Sequence, residues 1–220
     1  MKHYKLLIGV LFTFSLMAIS CQSNGSDENT EESSSSTTTT TSADNAAAEA
    51  TEDKIVVEGP NGIEVGTLQK VGEKNIIYCG GNKFESLKEG NKTTYILNDG
   101  NEIYTLFDRG SSFDFTETSS GRVLWRVFSS EGSITLKNEF IPESLIIRCA
   151  DQSCRLIYAN KEFTTVTYKD GTYTSGTPQG NIIVRGQPSY SRAFSIIGAG
   201  FAVAPPHQMI ILAELLDKGL

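Results

Sequence analysis

Cys149 and Cys154 are separated by four residues, Ala150, Asp151, Gln152 and Ser153. Apolar runs at 145–148 and 155–158 flank them, so the spacing predicts a hairpin with the two cysteines at its mouth. Three chemistries are open to such a pair: a structural disulfide, two buried thiols, or redox or metal work. An oxidising compartment favours the disulfide. Closing so short a loop contributes about 2 kcal/mol. Metal binding fails on ligand number. Beyond residue 53 the chain has a single histidine, His207, and a tetrahedral zinc site would need it and Cys79 to converge on the pair. Cys79 precedes Gly80 and Gly81 and reads as a small core residue or a free thiol. No metal site and no cofactor are expected.

Other candidate groups have plainer readings. His207 is the one domain histidine available for general-base work, but no Gly-x-Ser-x-Gly nucleophile motif accompanies it. Two residues after Pro205, it reads as a helix N-terminal residue at a barrel mouth. Glu117 with Asp114, and Glu139 with Glu143, could imitate glycosidase carboxylates, yet they fall in polar turn or loop regions and read as solvated. Residues 195–203 imitate a dinucleotide fingerprint, but Val203 and two prolines stand where a third glycine and a helix are needed. Their small side chains instead suit close packing against the terminal helix or at a barrel corner. The aromatic residues follow strand spacing, as core and cross-strand pairs do. Asn91-Lys92-Thr93 marks an exposed turn. No catalytic residue is assigned.

Cys21 carries the strongest signal. Residues 1–20 have the layout of a secretory signal: Lys2 and Lys5 give a positive start, and an apolar run of about 14 residues follows, with small Ser20 next to the cysteine. Plain secretion or an uncleaved membrane helix are the alternatives, though the run is short of the roughly 20 residues that span a bilayer. The layout resembles a bacterial lipoprotein signal, with Ala18 where leucine is usual. That resemblance implies that Cys21 is lipidated as the first mature residue and that the membrane is a partner through the anchor. Gln22, in place of aspartate, then implies the outer membrane of the cell envelope, facing the periplasm or the surface. An exported chain also favours a Cys149–Cys154 disulfide.

After Cys21, residues 22–53 are a Ser/Thr/acidic linker, so 21–53 forms the second region of the chain. The linker has no Phe, Tyr, Trp, Leu, Ile, Val or Met, and therefore nothing to bury. Its 32 residues are expected to behave as a coil about 30 Å across. It holds eight acids and no base. The chain totals 19 basic and 26 acidic residues; without Lys2, Lys5 and those eight acids, 17 and 18 are left. The folded part is therefore near neutral, which excludes a nucleic-acid footprint.

Residues 54–220 are enough for one domain with a full core. Eleven alternating or apolar runs, at 54–58, 63–70, 75–79, 93–98, 102–108, 122–129, 133–137, 144–149, 155–159, 162–168 and 181–185, are separated by turn signals such as Asp99-Gly100 and Asp170-Gly171. The fold class is all-β, an antiparallel meander closed as a barrel or packed as a sandwich. The end differs. Pro205 and Pro206 open a helix that is apolar nearly all round and stops at Gly219. Such a helix needs a tunnel or a partner. An antiparallel barrel around a hydrophobic C-terminal helix resembles the tubby-like superfold, and residues 201–217, FAVAPPHQMIILAELLD, look like the last strand and threaded helix of its LURP-one-related branch. That resemblance implies a helix threaded through the barrel, with ligands left only its rim. Some members bind membrane lipid, but no basic pocket can be placed here residue by residue.

The expected function is a membrane-anchored envelope lipoprotein with a non-enzymatic binding or scaffolding domain for a lipid, glycan or protein ligand. An envelope hydrolase using paired carboxylates and a structural assembly subunit with an exposed, self-associating helix are the alternatives.

Overall fold

The computed structural model describes residues 54–187 and 189–220. Cys21, the signal and the linker lie outside the described residues.

Fourteen strands follow one another around a single sheet: β1 (Ile55–Glu58), β2 (Glu64–Val71), β3 (Lys74–Cys79), β4 (Asn82–Glu89), β5 (Lys92–Leu97), β6 (Glu102–Asp108), β7 (Ser112–Glu117), β8 (Val123–Ser130), β9 (Ser133–Asn138), β10 (Ile141–Ala150), β11 (Ser153–Tyr158), β12 (Lys161–Lys169), β13 (Thr172–Thr177) and β14 (Gly180–Arg185). Each pairs antiparallel with its neighbours, and β1 closes the ring on β14, with Val57 opposite Val184. The meander and the barrel are as expected, and a sandwich is excluded. Closure removes the unpaired edges that an open sheet would expose. Tight turns make the meander possible: Asp170 and Gly171 both take positive φ, 51° and 74°, as a two-residue hairpin loop requires.

Alternation places one face of each strand inside. Ile77, Tyr95, Phe115, Ile147 and Leu156 are all fully buried. Tyr78, Phe107, Phe128 and Phe163 are exposed instead. The sequence pattern missed β4, β7 and β13. β4 and β13 each send only two side chains into the core, one of them a serine: Phe84 and Ser86, Tyr173 and Ser175; β7 buries Phe113, Phe115 and Thr116. Serine at an inward position breaks an apolar alternation, yet it fits where the interior is already occupied.

The occupants are a 3₁₀ helix, Arg192–Ala199, and a helix α1, Pro205–Asp217. Residues 208–215 of α1 are buried, and its side chains reach β5, β6 and β8 as well as β2 and β3. The 3₁₀ helix packs toward β10–β14. The helix therefore lies in the lumen. Helix α1 is thus not an exposed apolar surface.

Residues 201–204 correct one expectation. They are not a last strand. Ala202 and Val203 both donate backbone hydrogen bonds to the Ala199 carbonyl at 2.9 Å, closing turns, and the ring already sealed by β1 and β14 offers no free edge for another strand.

Candidate functional site

The two ends of α1 meet the barrel wall differently. At its start, His207 packs in T-shaped contact with Tyr104 and Phe115, ring centroids 5.2 and 5.1 Å away. The Trp125 indole N–H donates to His207 Nδ1 at 3.3 Å. Indole nitrogen only donates, so Nδ1 is unprotonated and Nε2 carries the hydrogen that faces the Tyr104 hydroxyl, 3.3 Å away. Burial pushes the His207 pKa down. The ring is thus a neutral anchor for the helix start, as its place at a barrel mouth suggested. Its partners are aromatic residues, and burial holds the Tyr104 hydroxyl protonated by raising its pKa. One residue on, Gln208 Nε2 donates to the Ile196 and Ile197 carbonyls at 3.0 and 3.3 Å, tying α1 to the 3₁₀ helix.

At the far end the helix turns polar. Glu214 is buried and accepts from the Tyr95 hydroxyl at 3.0 Å. Burial, opposed by that hydrogen bond and assisted by nearby Asp217, lifts its pKa to about 7. Asp217 accepts from Asn75 Nδ2 at 2.8 Å and pairs with Lys70. Lys218 reaches Asp108 at 2.6 Å and the Gly110 carbonyl at 2.9 Å. Beside this network a pocket of about 340 Å³ opens between β1–β3 and α1, with Ile55, Leu68, Ala213 and Leu216 as apolar wall and Lys70, Asn75, Gln187 and Asp217 as polar rim. Apolar walls with a few convergent polar groups are what a small-molecule site requires. The sequence signal for this end was the charge of Glu214 inside an apolar helix, though its partner on β5 is 119 residues away.

The carboxylate pairs singled out in the sequence lie elsewhere. Asp114 is held by Arg109 at 2.9 Å and by Arg126 at 3.5 Å. Glu117 accepts from Ser120 Oγ at 2.6 Å and faces Arg122 at 3.5 Å. Glu139 and Glu143 are exposed. Asp114 and Glu117 are thus paired with surface side chains.

Cys149 and Cys154 are directly opposed in the register of β10 and β11 and are joined as a disulfide. The Cys154 sulfur is 3.4 Å from the Tyr190 hydroxyl. Cys79 is a buried free thiol, its pKa raised by burial. Among the described residues no group of three or more His, Cys, Asp or Glu side chains could hold a metal ion.

No family model, no curated protein and no solved structure matches this chain.

Proposed function

We propose that this chain is a membrane-anchored envelope lipoprotein whose barrel binds a ligand rather than transforming one. Cys21 is the anchor in this reading and the outer membrane its site, on the strength of the signal layout and Gln22. The observation that carries the binding reading is the filled lumen. Helix α1 and the 3₁₀ helix occupy the interior, so a ligand meets only the mouths and the outer wall. The pocket beside Lys70 and Asp217 is one such place. Resemblance to the tubby-like superfold is supported by the closed antiparallel ring around an apolar terminal helix; the fourteen strands and the turn at residues 201–204 are where this chain departs from it.

Two measurements test the proposal. Mass spectrometry of the mature N-terminus should find an acylated Cys21, and an unmodified cysteine there overturns the anchor. Thermal shift of the purified mature chain against lipids, glycans and envelope extracts should give a saturable rise in midpoint. Flat curves throughout overturn the binding role.

A further inference from the structure

The outer wall carries a groove that neither the helix nor the mouth pocket explains. Arg148 on β10 and Arg155 on β11 stand directly opposite each other in the antiparallel register, and both are exposed. Like charges in directly opposed positions destabilise a sheet. Neither guanidinium has a carboxylate partner among the described residues, whereas Arg109, Arg122, Arg126 and Arg185 each have one. The register flanks the pair with hydroxyls: Ser133 opposes Arg148 and Thr165 opposes Arg155. The same strands send Ile147 and Leu156 into the core, so the two arginines serve no packing role there.

Both line a groove of about 550 Å³ together with Asp151, Ser153, Asn160 and Glu162, and Ile157 adds an apolar strip. Glu162 accepts from Thr165 Oγ1 at 2.9 Å, which leaves carboxylate lone pairs to spare. Two adjacent guanidinium forks suit one planar or tetrahedral oxyanion. The acids and amide around them suit hydroxyl groups and would repel a dense polyanion such as nucleic acid. One oxyanion amid several hydroxyls is the pattern of an acidic sugar.

We propose that the outer groove between β10 and β11 binds an acidic saccharide, with its carboxylate or phosphate held between Arg148 and Arg155. The assignment rests on the binding role above and names the ligand class for one surface of the barrel. It accounts for a pair of like charges that costs the sheet stability and gains nothing inside the molecule.

The test is a titration of the mature chain, followed by backbone amide shifts, with glucuronate, glucose phosphate and neutral maltotriose. At least one acidic sugar should bind with shifts centred on β10 and β11, and maltotriose should bind about tenfold more weakly or not at all. Whichever acid binds more tightly identifies carboxylate or phosphate as the group recognised. Arg148→Gln and Arg155→Gln should each lower affinity about tenfold, while leaving the thermal midpoint unchanged or raising it, because the opposed charges are gone. These positions are exposed, so loss of folding does not confuse the result. Equal binding of maltotriose, or full affinity in the double variant, overturns the assignment. If no acidic sugar binds while another envelope ligand raises the midpoint, this assignment fails and the binding role stands. If nothing binds, both fail.

Discussion

The Tyr95 hydroxyl donates to Glu214 Oε1 across 3.0 Å inside the barrel, joining the fifth strand to the helix that fills the lumen. Tyr95 is fully buried and Glu214 is 7% exposed. A carboxylate in such a place pays desolvation that one hydroxyl offsets only in part. The helix is therefore seated with a titratable group pressed against the wall, and its stability must depend on pH.

The sign follows from the two pKa values. Glu214 titrates near 4.5 in the unfolded chain and near 7 when folded, so the folded state binds the extra proton between them. Stability from this group is fully present below about pH 4.5 and is lost as pH rises through about 7, a change of roughly 3 kcal/mol. Glu214→Gln keeps an acceptor for Tyr95 and removes the titration. Urea unfolding at pH 5 and pH 8 should show the native chain weaker at pH 8 and the variant without that loss. The same change from pH 5 to pH 8 in the native chain and the variant would contradict the burial of Glu214.

His207 should act in the opposite direction. Its folded pKa lies below the usual 6.5, so the unfolded chain binds the extra proton as the medium is acidified. This contribution is fully present above pH 6.5 and lost as pH falls through the folded value. In a Glu214→Gln background, stability should rise with pH up to about 6.5, and adding His207→Leu should flatten that rise. Proton NMR of the imidazole provides a direct check, since its midpoint should fall below that of a free histidine.

Much of this architecture is legible along the chain. Turn pairs and period-two alternation mark eleven of the fourteen strands, and the prolines and Gly219 bracket the helix. The remainder depends on what the lumen holds. Ser175 faces the 3₁₀ helix, and Ser86 accepts from the Asn75 backbone N–H on the neighbouring strand, which a pattern of apolar residues does not reveal. The partners of Glu214 and Asp217 are 119 and 142 residues distant in sequence, so only closure of the ring brings them together. The Arg148–Arg155 pair needs no ring closure: the local hairpin register that opposes the two cysteines also opposes the two arginines.

The disulfide gives a prediction independent of the helix. Cys149 and Cys154 cross-link the hairpin of β10 and β11. Reduction, or Cys149→Ser with Cys154→Ser, should lower unfolding free energy by about 2 kcal/mol, since the closed loop is short. The barrel should still form, because the ladder pairing does not depend on the bond. Urea titrations with and without reductant provide the comparison, and Cys79 should stay inert to thiol reagents in the folded chain because it is buried.

Gly198 and Gly200 lie at and just beyond the end of the 3₁₀ helix yet should respond differently to alanine. A Cβ at Gly198 would come within 2.9 Å of Val166 Cγ2 and 3.1 Å of both Leu156 Cδ2 and Ser175 Oγ. One at Gly200 would meet only the Gln208 side chain, at 3.7 Å or more. Neither glycine takes a positive φ, so both substitutions share the modest gain from a stiffer unfolded chain, about 0.4–1 kcal/mol. Gly200→Ala should keep it. Gly198→Ala should lose it and more, a net cost of about 1–2 kcal/mol, because three strands of a closed barrel must move outward together. Adding Val166→Ala opens space at the nearest contact. The double variant should therefore be more stable than the sum of the single changes predicts, and the cycle should return a favourable coupling of about 0.5 kcal/mol or more. Strict additivity would mean that Gly198 does not press on the wall, and that the small residues of this segment are not what lets the 3₁₀ helix share the lumen with α1.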